Sequence, residues 1–420
     1  MIFLAGSLDM NGGSTFLLRV ARAAFDGTKK IDIVVLSNVI DEKIKLELEL
    51  FANVIELKTL VVDQLSWCGT NQAAIFLPFK RKKIEKLLKT NNRAIHAMGI
   101  FGVIYAYRLA RQFGRLRLSV GVYQQNEFLC NSSLFFVRHA NKMFASLPAE
   151  NVVFFNEYTR KFYSQFFKKD HSNSPLLPIG VALPKMIPGD VRKFEHGKLV
   201  SIGNLVDFKT YNEHVIRTVA LLSADYPLLR YDIYGEGDQQ QFLRTLIADL
   251  GLDDLVRLHK RIPYDEFKSA VENAMGFVGS GTALLEAAAL KVPSIIGIES
   301  IKTPDTYGFL SDIKGYSYNE LIPGIKLMPI RDAVIVLLNS SADEIQHIGE
   351  NCAAKSAEFS IEKTVQGFSK LQDTAKFVSV ELSFMFRMYF FFSFLLLVIL
   401  DVLNIDKKFR MRRDQKSSFS

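Results

Sequence analysis

The sequence predicts an α/β protein built from two doubly wound, parallel-sheet domains. Three observations lead there. Short β-branched runs alternate with amphipathic segments in two successive blocks. The 420 residues suffice for two domains of ordinary size. Between the blocks, Pro184 to Gly197 gathers two prolines, two glycines and mixed charge, the composition of a linker. The expected layout is a first domain at 1–184, a linker at 185–197 and a second domain at 198–375. A hydrophobic segment at 380–404 and a basic tail at 405–420 follow.

In the first block the expected strands are Ile2–Ala5, Ile31–Leu36, Val54–Leu57, Ala94–Ala97, Leu118–Tyr123 and Val152–Phe155. Helical patterns lie between several of them, as at Thr15–Phe25 and Gly102–Phe113. The start, Met1-Ile2-Phe3-Leu4-Ala5-Gly6, has no basic lead and too short an apolar core for a signal peptide, so it reads as the first strand and the chain as cytoplasmic. Gly12 and Gly13 then open a helix, a pattern that also makes an ordinary tight turn. His96 and Glu127 fall at the ends of the fourth and fifth strands, where open α/β sheets bind ligands. A lone histidine also serves as a hydrogen-bonded structural residue, and a loop carboxylate as a solvated one. Asn156 before Glu157 reads as an N-cap followed by an acidic first turn.

The second block has expected strands at Lys198–Gly203, Tyr231–Gly235, Val256–Lys260, Gly276–Gly279 and Ser294–Gly297, and a helix at Tyr264–Ala274. One stretch organises it. Val278-Gly279-Ser280-Gly281-Thr282 ends an apolar run on two glycines and enters the strong helix formers Ala283 to Leu290, which stop at Val292-Pro293. A strand, a glycine turn and a helix N-terminus present backbone N–H groups and a positive dipole end, which suit a phosphate. Thr282 and Glu286, four residues apart, share one helix face about 6 Å apart along the axis. A carboxylate at that depth can accept two sugar hydroxyls. The competing reading is a plain βαβ crossover whose glutamate faces water.

With its neighbours, this stretch resembles the retaining glycosyltransferases of family 4 (glycosyl transferases group 1), which have the GT-B fold. Leu285-Glu286-Ala287 and Val292-Pro293 match that family's second-domain element, while the first glutamate of its paired motif is missing near Val278 and the loop is short. Upstream, Gly203-Asn204-Leu205 to Lys209 resembles the element whose two cations hold the donor diphosphate, with Asn204 where the family has Arg. Gly235-Glu236-Gly237 matches the next glycine turn, and Lys260-Arg261-Ile262-Pro263 the loop flanking the base. Pro178-Ile179-Gly180-Val181 resembles the segment that ends the first domain.

The resemblance implies two Rossmann-like domains facing across a cleft that takes a UDP- or GDP-sugar, transfer with retention, and no cofactor or metal. It implies Lys209 and the Gly281/Thr282 backbone at the diphosphate, with Arg261 making up for Asn204, and Glu286 on the ribose. Gly12, Gly13 and Gly235 would shape the binding surfaces, and Glu127 or His96 would face the acceptor. A non-catalytic GT-B scaffold and a sugar-nucleotide epimerase stay open as alternatives.

Composition narrows the partners. With 49% hydrophobic and 23% charged residues the chain is a folded protein. Cys68, Cys130 and Cys352 are widely spaced with no C-x-x-C pair, which argues against a metal site or a disulfide framework. Of the net charge of +8, half lies beyond Asn404, in six basic residues (Lys407, Lys408, Arg410, Arg412, Arg413, Lys416) against Asp406 and Asp414. No zinc-finger or RNA-binding signature accompanies them, so an anionic membrane surface is the expected partner and nucleic acid is not. Leu382–Leu400 is interrupted only by Ser383, Arg387 and Ser393. A span would export the basic tail against the positive-inside rule. A segment lying in the interface or re-entering it keeps both ends cytoplasmic, on the inner face of the cell membrane. A span and a protein–protein contact are the alternatives. The basic helical run Phe79–Lys89 is a second membrane candidate, or an ordinary solvated face. A glycosyltransferase so attached would act on a lipid-linked or surface-polysaccharide acceptor, as in lipopolysaccharide assembly.

Overall fold

The computed structural model describes residues 1–9, 12–68, 72–125, 127–129, 135–184, 192–378 and 384–403. The basic tail, Cys130, most of the expected linker and the first residues of the hydrophobic segment lie outside them. The chain divides into two compact units, the first of residues 1–180 and 361–420 and the second of residues 181–360. The helix Ile361–Thr374 therefore belongs to the first unit, although the expected second domain ran to 375.

In the first unit, strands β1 (Ile2–Ala5), β2 (Ile31–Val35), β3 (Ala52–Glu56), β4 (Ala94–Met98), β5 (Leu116–Val122) and β6 (Val152–Phe154) run parallel in the order β3-β2-β1-β4-β5, with β6 on β5. A short antiparallel strand, Phe377–Val378, adds to β5. Period-two alternation explains the layering. Ile2 and Leu4 point into one core with Ile95 and Leu118, whereas Phe3 and Ala5 point into another with Ile33 and Val35. A sheet apolar on both faces must be covered on both. The helix Ile361–Thr374 buries Ile361, Thr364, Phe368 and Leu371 on the Phe3 face, a 3.6-period stripe. The C-terminal helix Phe384–Val402 places Phe390, Phe394 and Leu397 in the Ile2 core. Asn156 caps its helix as expected, its Oδ1 accepting the Thr159 N–H at 2.7 Å.

The second unit repeats the winding with β7 (Glu195–Ile202), β8 (Arg230–Tyr234), β9 (Val256–His259), β10 (Ala274–Gly279) and β11 (Ser294–Ile296), parallel in the order β9-β8-β7-β10-β11. The strand order reverses between β7 and β10, the switch point where such sheets bind ligands beyond their carboxyl ends. The helix expected at Tyr264–Ala274 is shorter. Pro263 starts a 3₁₀ turn at Tyr264–Glu266, the helix covers Phe267–Val271, and the wholly buried run from Ala274 is taken into β10. Among the described residues no helix is long and apolar enough to cross a membrane.

Candidate functional site

The carboxyl ends of β7, β8, β9 and β10 bring together the residues singled out in the second block. Main-chain bonds tie their loops: the Gly203 N–H donates to Tyr234 O at 3.0 Å, Leu205 N–H to Glu236 O at 3.0 Å and Gly235 N–H to His259 O at 3.2 Å. Gly235 is required by proximity, since a Cβ there would collide with the carbonyl oxygen of Gly203. Gly203 is bare for a different reason. A Cβ on it would stand 2.5 Å from Lys209 Nζ, so the ammonium of Lys209 lies back over the end of β7. The second cation arrives from the end of β9, where Arg261 Nη2 donates to Asn204 Oδ1 at 2.9 Å. Asn204 thus stands where the resembling family has Arg, and a guanidinium from elsewhere in the unit reaches the same loop. Lys209 is half-buried, whereas Asn204 and Arg261 are exposed.

Across the switch point, β10 runs through Ser280 into the helix Gly281–Ala289. Gly281 has φ +67°, a left-handed turn that costs a glycine little. Glu286 is only 7% exposed, so the reading of a water-facing glutamate on a plain crossover fails. Thr282, one turn nearer the tip, is half-buried on the same face. Residues without a sequence signal fasten the tip. Asn319 Oδ1 accepts the Gly281 N–H at 2.7 Å, and Tyr318 donates its hydroxyl to Gly281 O at 3.1 Å. Ser280 Oγ donates to Glu299 Oε1 at 2.8 Å, and Glu299 N–H donates to Asn319 O at 2.8 Å. These partners sit some twenty to forty residues downstream in irregular loops, outside any spacing rule.

In the first unit, His96 is fully buried. Its Nδ1 lies 2.9 Å from Ser119 Oγ and its Nε2 2.8 Å from Tyr123 Oη, with the Phe368 ring 4.7 Å away. Burial drives its pKa down to about 3, holding the ring neutral. Glu127 closes its own loop, Oε2 accepting the Tyr123 N–H at 2.8 Å and the Gln124 N–H at 3.4 Å. Burial, and then the Glu127 carboxylate, push the Tyr123 phenol well above its usual pKa. Gly12 and Gly13 open the first helix in exposed positions, and a Cβ at Gly12 would meet nothing within 4 Å. The structure thus gathers Asn204, Lys209, Gly235, Arg261, Gly281, Thr282 and Glu286 on one unit's strand ends, and places His96, Glu127, Gly12 and Gly13 on the other unit.

Residues 191–301 match the family model "Glycosyl transferases group 1", a span that includes all seven of those second-unit residues. An uncharacterized glycosyltransferase of Haemophilus influenzae is 23% identical over 201 residues, 46% of this chain; the alignment spans 55% of that relative's length. Among solved structures, S. aureus TarM in complex with fondaparinux, α-GlcNAc-glycerol and UDP superposes with a TM-score of 0.62 at 12% identity, over 89% of this chain and 99% of that one. Anabaena HepE in complex with UDP and glucose gives 0.61 at 14%, over 89% and 99%. The lipopolysaccharide outer core galactosyltransferase WaaB gives 0.58 at 12%, over 88% and 98%. At such identities these likenesses speak to the fold, and the expectation of a glycosyltransferase is borne out at the level of the matched domain. The chain carries a glycosyl transferases group 1 domain, in a fold that it shares with GT-B glycosyltransferases.

Proposed function

We propose that the chain transfers a sugar, with retention of anomeric configuration, from a UDP- or GDP-sugar to a lipid-linked or surface-polysaccharide acceptor at the inner face of the cell membrane. The observation that carries this reading is the buried Glu286 one turn inside the glycine-opened helix Gly281–Ala289, at the switch point of the second sheet. A carboxylate withdrawn from water in that position is suited to a ribose diol, and the helix tip to a diphosphate. Lys209 and Arg261 supply positive charge from the neighbouring strand ends. In such transfer the barrier is charge separation, with the diphosphate leaving as an oxocarbenium-like sugar forms, so fixed cations and dipoles at the leaving group do the main catalytic work. In this reading Gly12 and Gly13 shape a binding surface, while Glu127 and His96 serve the acceptor, His96 through Tyr123 and not by direct contact.

Calorimetry with UDP and GDP, followed by donor turnover with a panel of their sugars, tests the reading. Binding of one nucleotide, with turnover lost in Lys209→Ala and binding lost in Glu286→Ala, is the expected result. Absence of binding by either nucleotide overturns it in favour of a non-catalytic scaffold. Conversion of free sugar nucleotide without acceptor overturns it in favour of an epimerase.

A further inference from the structure

We infer that the C-terminal helix Phe384–Val402 lies in the plane of an anionic lipid surface, its outward stripe among the acyl chains and its inward stripe holding the first unit to the membrane. Membrane attachment belongs to the reading above; the in-plane geometry goes further and does not depend on the reaction.

The helix has two apolar faces. Inward, Phe390 and Phe394 pack at a tilt around Phe136, with ring centres 4.7 and 5.4 Å from its own, and Phe394 meets Phe76 at 4.9 Å. Between Met388 and Leu400 the one wholly polar side chain is Ser393, and its Oγ accepts the Phe136 N–H at 2.9 Å. That hydroxyl is therefore turned toward protein. Outward, Met385, Tyr389, Phe392, Leu396, Ile399 and Leu403 follow one another at steps of four and three. They are 46–61% exposed. Such steps trace one continuous stripe along the helix. A surface helix that rests one stripe on a protein normally offers water a polar opposite face; a helix apolar on both sides needs an apolar medium on the second.

Charge selects the medium. The seventeen residues from Asn404 onward carry a net charge of +4, covalently joined to the end of this helix. Arg138 and Lys142 stand exposed, one turn apart, on the helix Phe135–Ala145 against which it packs. A second copy of this chain would bring only more of the same positive charge to that stripe. An anionic headgroup layer neutralises that charge instead. The inward contacts decide the orientation. A crossing helix would have to give up Phe136, Phe76 and the Ser393 bond, whereas a helix in the interface keeps all three while burying its other face.

The test uses the full chain and flotation with phosphatidylcholine vesicles, with and without phosphatidylglycerol. The chain is expected to float with the anionic vesicles, to be weakened by high salt, and to be released by alkaline carbonate. Replacing both Phe392→Ser and Ile399→Ser should cut vesicle partition about tenfold or more, leaving far-UV circular dichroism and the thermal midpoint unchanged. The inference is overturned if the chain stays free of anionic vesicles, if carbonate does not release it, or if the double variant floats as the parent does. It is also overturned if the double variant instead dissolves a lipid-free dimer, which would assign the stripe to a second copy. Nucleotide binding is measured without vesicles, so failure here leaves the transfer reading standing.

Discussion

Asn319 Oδ1 accepts the N–H of Gly281 at 2.7 Å, so a side chain already satisfies the leading backbone donor of the helix Gly281–Ala289. A diphosphate arriving at that tip shares the donor with Asn319 or displaces it. Replacing Asn319→Asp places a fixed negative charge at the same point. The charge favours the helix dipole, so the thermal midpoint should hold or rise. It opposes a bound diphosphate, so the dissociation constant for UDP or GDP should increase at least about tenfold, about 1.4 kcal/mol. Equal nucleotide affinity in this variant, read by calorimetry, would remove the phosphate from the helix tip.

Two glycines of the site are glycine for different reasons, and alanine separates them. Gly235→Ala drives a Cβ into the Gly203 carbonyl, which the paired loop can relieve only by parting from β7. A loss of more than about 2 kcal/mol, the range of backbone clashes and strain, is expected in urea unfolding. Gly281→Ala meets open space and carries only the left-handed φ of +67°. Its cost should be about 1–2 kcal/mol.

The pH dependence of stability should carry the mark of His96. An ordinary histidine titrates near 6.5, and burial holds this one at about 3. Between those values the unfolded chain binds a proton that the folded chain refuses, so acid favours unfolding. The stabilisation is complete above about pH 6.5 and is lost as pH falls toward 3, by about 1.4 kcal/mol per unit at most. Burial and the neighbouring Lys169 lower His171 to about 4, which acts in the same direction. Urea titrations between neutral pH and about 4.5 should give a shallower slope for His96→Gln than for the parent chain; an identical slope would place the acid sensitivity elsewhere.

The winding of both sheets was legible because it rests on local pattern. Ile2–Ala5 is an unbroken apolar run, Ile31–Val35 is apolar but for Asp32, and Val256–His259 alternates apolar with polar; the parallel pairing follows from the helices between the strands. The Asn156 cap was legible for the same reason, a side chain acting within three residues. The site was half legible. Gly235 and Glu286 carry their meaning in their own loops, whereas the Arg261–Asn204 bond joins residues 57 apart. Asn319 and Glu299 converge on Gly281 and Ser280 from irregular loops, where neither period two nor period 3.6 leaves a trace. The helix after Pro263 is shorter than its pattern at both ends, because Pro263 opens a 3₁₀ turn and the buried Ala274 joins the strand that runs on to Gly279.

Lys209 and Arg261 approach the end of β7 from opposite sides in sequence and differ in burial. Lys209 is half-buried, with its Nζ over Gly203; Arg261 is exposed and held by the amide of Asn204. A cation partly withdrawn from water acts on developing charge more strongly than one screened by solvent. Lys209→Ala should therefore lower kcat for sugar transfer about 10²–10³-fold. Arg261→Ala should cost about tenfold and lose its effect at high salt, as exposed charges do. If both cations face one diphosphate, the double variant will fall short of or exceed the sum of the two by more than about 0.5 kcal/mol. Strict additivity in steady-state kinetics would mean that Arg261 serves only to hold Asn204, and that a single lysine neutralises the leaving group.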